Sequence, residues 1–181
     1  MINDLQDILS VNIRGMKRSA IRELLKYLNQ PGLISFSGGF PAPQSFPVEE
    51  LKGIIAEVMD NEPYYALQYG TTEGDNLLRS QLAERYKKLG IDVSMDNIII
   101  TTASQQALDL IAKSFIDRGD TIIVGLPTYL GALSAFNSYG ADMIGIPMDD
   151  EGEIPEVMED EIKKAIARGK KPKFIYVIPD F

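Results

Sequence analysis

Residues 98–111 read IIITTASQQALDLI, and this stretch is the starting point for the fold that we predict. It opens with three β-branched apolar residues, which favour a buried strand. It then turns small and polar at residues 101–104 and resumes with the apolar spacing of an amphipathic helix. The first turn of such a helix presents backbone N–H groups that have no carbonyl partner. An anion, such as a phosphate group, suits that position.

The chain after this stretch alternates between strand and helix patterns. We predict strands at residues 97–101, 121–125, 142–148 and 173–179, and helices at residues 104–117, 127–138 and 155–168. Strands that are separated by single helices form a mostly parallel sheet, which helices cover on both faces. The strands are almost continuously apolar, which fits burial on both sides. The predicted fold is therefore α/β, with a three-layer α/β/α architecture.

The first 90 residues lack this alternation. Helical spacing predicts helices at residues 16–29, after Pro47 and around residues 77–89, and a short strand is predicted at residues 33–37. Residues 38–47 are rich in Gly and Pro, and residues 62–74 form an aromatic segment, so we expect both to be irregular. A helical N-terminal arm is thus expected to precede the sheet.

The composition limits the chemistry that is open to the chain. Its 181 residues are 45% hydrophobic and carry a formal net charge of −8, which is typical of a soluble globular protein and argues against nucleic-acid binding. No run of 18 apolar residues and no signal-like N-terminus is present, so we expect a cytoplasmic protein without membrane contact. Cys and His are absent, which removes thiolate chemistry and the commonest general base. Carboxylates, Lys, Tyr, Ser, Thr or a bound cofactor must supply any reactivity.

Four short motifs are candidates for ligand contact, and each also has a simpler structural explanation. Ser104 and Gln105 either bind an anion or belong to an ordinary helix cap. Tyr129, in GLPTYLGAL, either lies over a flat ligand or packs its helix on the sheet. Gly39, in SFSGGFPAP, allows a close backbone approach to a ligand or forms part of a plain turn. Tyr69, in LQYGTTEG, lies at the rim of a site or contacts the ligand.

Taken together, four segments resemble the fold-type I aminotransferases that depend on pyridoxal 5′-phosphate. These segments are SFSGGFPAPQSFP (35–47), ALQYGTTEGDNLLR (66–79), residues 101–133 and YVIPDF (176–181). The resemblance is strongest to the branch with 2-aminoadipate, kynurenine and aromatic amino-acid aminotransferases. It covers nearly the whole chain in the right order. It implies transfer of an amino group between an α-amino acid and a 2-oxo acid.

The resemblance also implies which residues hold the cofactor. Ser104 and Gln105 match the pair that binds the cofactor phosphate, and Tyr129 matches the aromatic residue that stacks on the pyridine ring. Tyr69 matches a tyrosine that reaches the cofactor phosphate of the other subunit. A homodimer with shared active sites follows from that match.

Three further residues match positions near the substrate in this family. Gly39 matches the backbone that meets the substrate carboxylate, with Phe40 beside it. Arg22, in SAIRELL, matches an arginine near the substrate in the aminoadipate-type members, although a solvated helix charge explains it equally well.

The resemblance implies two domains and an incomplete site. Residues 1–45 correspond to the N-terminal arm and part of the small domain, and residues 46–181 to the first part of the cofactor-binding large domain. The lysine that forms the Schiff base with the cofactor has no match in this chain. We therefore expect the chain on its own to be catalytically inactive.

Other functions stay open on the sequence alone. A cofactor-sensing, non-catalytic module of a transcription regulator has a similar aminotransferase-like domain. A lyase or a synthase of the same fold type uses the same cofactor. A generic α/β nucleotide or phosphate binder is disfavoured because the glycine-rich fingerprints of nucleotide sites are missing.

Overall fold

The computed structural model describes residues 5–14, 16, 27, 32–34 and 39–179. The described helices are α1 (Val11–Arg14), α2 (Val48–Asn61), α3 (Pro63–Ala66), α4 (Asn76–Lys88), α5 (Ala103–Phe115), α6 (Leu130–Ser138) and α7 (Pro155–Ala167). The described strands are β1 (Thr121–Leu126), β2 (Asp142–Asp149), β3 (Gly152–Glu153) and β4 (Ile175–Tyr176). Short 3-10 helices occupy Leu5–Ile8, Pro43–Ser45 and Met95–Asn97.

The chain divides into two compact units. The sheet unit consists of the described residues of 1–17 and 101–181, and the helical unit consists of those of 18–100. The domains predicted from the resemblance, 1–45 and 46–181, refer to the fold of the longer family members. This division by contacts does not test them, and they stay a prediction.

A four-stranded sheet in the order β3-β2-β1-β4 forms the centre of the sheet unit. β1 pairs in parallel with β2, from Thr121 opposite Asp142 to Leu126 opposite Pro147, and also in parallel with β4. β3 adds a short antiparallel edge to β2. α6 connects β1 to β2, and α7 lies between β3 and β4 in the chain and packs against β2. The predicted α/β fold with a mostly parallel sheet is confirmed.

The core of the sheet unit lies between β1 and the helices α5 and α6. Phe136 of α6 is fully buried, and its ring meets the rings of Phe174 and Tyr176 edge-on, at centroid distances of 5.5 and 5.4 Å. Burial of such a side chain stabilises the fold by about 2 kcal/mol. Ile123 is also fully buried, and strand alternation places it on the opposite face from the core residues Ile122 and Val124. The sheet therefore buries apolar side chains on both faces, as its apolar strands predict.

The prediction of a strand at residues 97–101 is wrong. Met95–Asn97 is a 3-10 helix, and residues 98–101 have no strand pairing. The Ile100 N–H group donates to the Glu73 carbonyl at 2.8 Å. A strand needs a hydrogen-bonded neighbour, and none of the described strands lies beside these β-branched residues. The last predicted strand, 173–179, is shortened to Ile175–Tyr176 because only those two residues pair with β1.

The helical unit contains the predicted helices after Pro47 and around residue 77, which are α2 and α4. It also contains α3, in a segment that we expected to be irregular. Pro63 begins α3, and proline is pre-organised for the first position of a helix. The apolar face predicted for α2 is present but is 40–62% exposed, because no described element covers it. The face consists of Leu51, Ile54, Ile55, Val58 and Met59.

Two N-terminal predictions fall largely outside the described residues. These are the helix at residues 16–29 and the strand at residues 33–37. Within the described ranges, the helices are all too short or too polar to cross a membrane.

Candidate functional site

The start of α5 is shaped by a tight turn at residues 101–103. The Ala103 N–H group donates back to the Thr101 carbonyl at 2.9 Å, and the Thr101 hydroxyl donates to the Ala103 carbonyl at 3.1 Å. The Thr102 N–H group donates to the side-chain oxygen of Gln106. Protein acceptors therefore take up the N–H groups of Thr102 and Ala103.

Ser104 and Gln105 follow this turn as the second and third residues of α5. Their N–H groups lie in the first helical turn, where no intrahelical carbonyl is available. Thr102 is the N-cap residue, and it makes no side-chain capping hydrogen bond. An ordinary cap does not explain this segment, because Ser104 lies inside the helix and the N-cap side chain is not used. The helix start is thus available to an anion.

A second joint, between β1 and α6, lies next to this helix start. Tyr129 is the N-cap residue of α6, and its side chain is 47% exposed. The Gln105 side-chain amide donates to the Gly131 carbonyl at 3.1 Å, which ties α5 to the first turn of α6. A Cβ atom at Gly131 would lie 2.4 Å from the Tyr129 ring and 2.6 Å from the Gln105 side-chain oxygen. The structure therefore brings the side chains of Gln105 and Tyr129 together at Gly131.

Tyr176 on β4, the strand next to β1, is a further tyrosine that sequence reasoning did not single out. Burial raises the pKa of Tyr176 above its ordinary value, and the nearby phenol of Tyr129 raises it further. Its ring also packs on Phe136 in the core. The Tyr176 ring therefore packs on the core of the sheet unit, on the strand next to β1. The sequence signal for it was an aromatic residue in the last parallel strand.

The other predicted site residues lie elsewhere in the chain. Tyr69, Gly39 and Phe40 belong to the helical unit, and Arg22 lies outside the described residues. The Tyr69 side chain is 98% exposed, and its N–H group donates to the Gln68 side chain at 2.8 Å. Gly39 has a φ of +58°, a conformation that favours glycine, and Phe40 next to it is exposed. Their predicted roles stay predictions.

The chemistry of the two joints fits a phosphorylated aromatic molecule. Free N–H groups, a serine hydroxyl and the positive end of a helix dipole suit a phosphate group. The half-exposed ring of Tyr129, beside the Gln105 amide, offers a surface for a flat ring. Within the described ranges, no three acidic side chains are grouped so that they could hold a metal ion.

Comparison with known proteins identifies similar sequences and structures. The family model for aminotransferase class I and II matches residues 44–178. Aromatic-amino-acid aminotransferase 1 of Thermococcus litoralis is 45% identical over 179 residues, which are 98% of this chain and 43% of that protein. The 2-aminoadipate transaminase of Thermus thermophilus is 40% identical over 166 residues, which are 92% of this chain and 39% of that protein.

A solved structure has the same fold as this chain. The kynurenine aminotransferase of Pyrococcus horikoshii, in complex with PMP, is 43% identical and superposes with a TM-score of 0.88. The superposition covers 97% of this chain and 44% of that chain. The chain thus spans less than half the length of the proteins that it matches.

Proposed function

This chain belongs to the family of class I and II aminotransferases, and from that premise we propose that it forms part of a pyridoxal 5′-phosphate-dependent aminotransferase. The proposed enzyme transfers an amino group between an α-amino acid and a 2-oxo acid. The observation that carries this proposal is the uncapped start of α5. There Gln105, which follows Ser104 in the first turn, lies close to the half-exposed Tyr129 at Gly131.

Ser104 and Gln105 hold the cofactor phosphate in this proposal. The Ser104 hydroxyl and the N–H groups of the first turn of α5 donate to the phosphate oxygens. The partial positive charge at the helix start favours a dianion there. Because the Thr102 and Ala103 N–H groups already have partners, the anion is directed to Ser104 and Gln105.

Tyr129 covers one face of the cofactor ring in this proposal. Its half-exposed ring presents apolar surface, and aromatic rings favour offset stacking on flat groups. When bound, the cofactor supplies an electron sink for the transfer of the amino group. The residues of this chain bind and orient the cofactor. We propose no role for them in moving a proton during the transfer of the amino group.

Amino-group transfer is favoured over lyase, synthase or sensing functions by the similar proteins. The relatives from Thermococcus and Thermus and the structure from Pyrococcus are all named as aminotransferases or transaminases. The Pyrococcus structure contains PMP, the aminated form of the cofactor that we propose. A substrate class of α-amino acids and 2-oxo acids follows for the parent enzyme.

The proposed enzyme is a homodimer with shared active sites. Tyr69 supports this arrangement because its side chain is almost fully exposed in a single chain and is therefore available to a partner subunit. Gly39 and Phe40, together with Arg22, are proposed to lie near the substrate. The domains at residues 1–45 and 46–181 and the cytoplasmic location belong to the same proposal.

Thermal unfolding with three ligands tests this function. Pyridoxal 5′-phosphate at 100 times its Kd should stabilise the chain by about 2.7 kcal/mol. That corresponds to a rise in Tm of about 5–10 °C for a chain of this size. Pyridoxal, which lacks the phosphate, should give a much smaller rise, and the Ser104→Ala variant should lose most of the response. Stabilisation by ATP but not by pyridoxal 5′-phosphate would overturn the proposal.

A further inference from the structure

Gly131 occupies a position where a Cβ atom would overlap two neighbouring side chains. It is the second residue of α6, and its φ is not positive, so its backbone conformation does not require glycine. Glycine is also a poor helix-forming residue. A Cβ atom at this position would lie 2.4 and 2.5 Å from two atoms of the Tyr129 ring and 2.6 Å from the Gln105 side-chain oxygen. A Cβ atom here would therefore force the Tyr129 ring or the Gln105 side chain to move.

The crowding involves two of the side chains that form the proposed cofactor site, those of Tyr129 and Gln105. The Tyr129 ring lies directly against the Cα of Gly131, and the Gln105 side chain lies against it as well. The Gly131 carbonyl accepts the hydrogen bond from the Gln105 amide at 3.1 Å. Tyr129 is only two residues away and its backbone is fixed as the N-cap of α6, so its ring can avoid a Cβ atom only by turning away.

Two other glycines in regular elements have room for a Cβ atom. A Cβ atom at Gly53, in the middle of α2, would meet no atom within 4 Å. A Cβ atom at Gly145, in β2, would make ordinary contacts with Leu126 at 3.4 Å. Gly125, in β1, is also crowded, because a Cβ atom there would lie 2.6 Å from a Glu153 side-chain oxygen. At Gly131 the crowding comes instead from Tyr129 and Gln105.

We infer that Gly131 is a positioning residue, whose missing side chain holds the Tyr129 ring and the Gln105 amide in the arrangement that receives the cofactor. The ligand in this inference is taken from the proposed function. The placement of the two side chains does not depend on any ligand. The two parts can therefore be tested separately.

The placement is tested on the ligand-free chain by NMR. The Gly131→Ala variant should shift the ring signals of Tyr129 and the side-chain amide signals of Gln105. The matched control, Gly53→Ala, places the same methyl group in open space on a helix and should leave both sets of signals unchanged. Unchanged signals in a folded Gly131→Ala variant, with thermal unfolding as the check on folding, overturn the inference.

The consequence for binding is tested with pyridoxal 5′-phosphate. Gly131→Ala should raise the Kd for pyridoxal 5′-phosphate about tenfold, and Gly53→Ala should leave this Kd unchanged. In a Tyr129→Ala background, Gly131→Ala should reduce the affinity much less, because the ring that the new methyl group would overlap is absent. The effects of the two substitutions are therefore coupled. The same tenfold loss in both backgrounds, or no loss in either, overturns the inference. If the unaltered chain binds no pyridoxal 5′-phosphate, the proposed function fails, and the NMR comparison still decides the placement.

Discussion

Ala103 has a backbone conformation that is unfavourable for its residue type. Its φ is +58°, and among the residues that the structure describes it is the non-glycine residue with a positive φ. The Cβ atom of an L-residue is too close to the following carbonyl in this region, which costs about 1–2 kcal/mol. The hydrogen bonds of Thr101 and Gln106 hold the turn in place. The strain lies directly before the proposed phosphate-binding residues, as is common at functional sites.

Replacing Ala103 by glycine should remove this strain. We expect Ala103→Gly to raise the free energy of unfolding by about 1 kcal/mol, as measured by urea denaturation. The control is Ala107→Gly in the same helix, where the backbone conformation is ordinary. There glycine should lower the free energy of unfolding by about 1 kcal/mol. If both variants are destabilised to the same extent, Ala103 is not strained.

The start of α4 is held by a carboxylate that also binds a tyrosine. Asp75 is the N-cap residue, and it accepts hydrogen bonds from the Leu78 N–H group at 2.7 Å and from the Tyr65 hydroxyl. The Tyr65 hydrogen bond, followed by the Leu78 hydrogen bond, lowers the pKa of Asp75 below its ordinary value of 3.8. The same carboxylate raises the pKa of Tyr65 above its ordinary value of 10.0.

These pKa shifts define the pH range over which the Tyr65–Asp75 pair stabilises the folded chain. The contribution of Asp75 to stability is fully present above pH 3.8 and is lost as the pH falls through its lowered pKa. The contribution of Tyr65 is fully present below pH 10.0 and is lost as the pH rises through its raised pKa. The pair therefore stabilises α4 and the preceding loop fully between these two limits.

Removing the tyrosine hydroxyl should shift the titration of Asp75. In Tyr65→Phe, the pKa of Asp75 should rise towards its ordinary value but stay somewhat below it, because the Leu78 N–H group remains. Carbon-13 NMR titration of the carboxylate measures this shift. Tyr64→Phe is the matched control, since Tyr64 is the neighbouring tyrosine and is almost fully exposed. An unchanged titration of Asp75 in Tyr65→Phe would show that the two side chains do not interact in solution.

Helices were predicted more reliably than strands, for a physical reason. A helix satisfies its hydrogen bonds within one segment, so apolar spacing and Pro47 sufficed to predict α2. A strand depends on a neighbour, so the residues IIIT at 98–101 did not become one despite their strong β-propensity. The short helix α3 was missed because its four residues are too few to show a periodic pattern.

The candidate site was predictable only in part. Ser104, Gln105 and Tyr129 were predicted from their positions at two successive joints and from the family resemblance. Gly131 was not predicted, because the role that we infer for it depends on how the side chains of Tyr129 and Gln105, which are distant from each other in sequence, meet in the fold. Tyr176 was not predicted either, because its packing on Phe136 depends on the pairing of β4 with β1.

The two units differ in how well the chain buries its own apolar surface. The sheet unit has a buried core around Phe136, whereas in the helical unit the apolar face of α2 is open to solvent. The chain spans 43% of the Thermococcus relative and 44% of the Pyrococcus structure. Ser104, Gln105 and Tyr129 of the proposed cofactor site all belong to the sheet unit, so this part of the site can be examined in this chain.

A backbone amide NMR titration of the 181-residue chain with pyridoxal 5′-phosphate tests whether the start of α5 binds the cofactor phosphate. The N–H signals of Ser104 and Gln105 should shift most, because their groups donate to the phosphate oxygens. Inorganic phosphate should shift the same signals more weakly, and pyridoxal should leave them nearly unchanged. If the largest shifts lie outside the joints at residues 101–106 and 127–131, the cofactor does not bind as proposed.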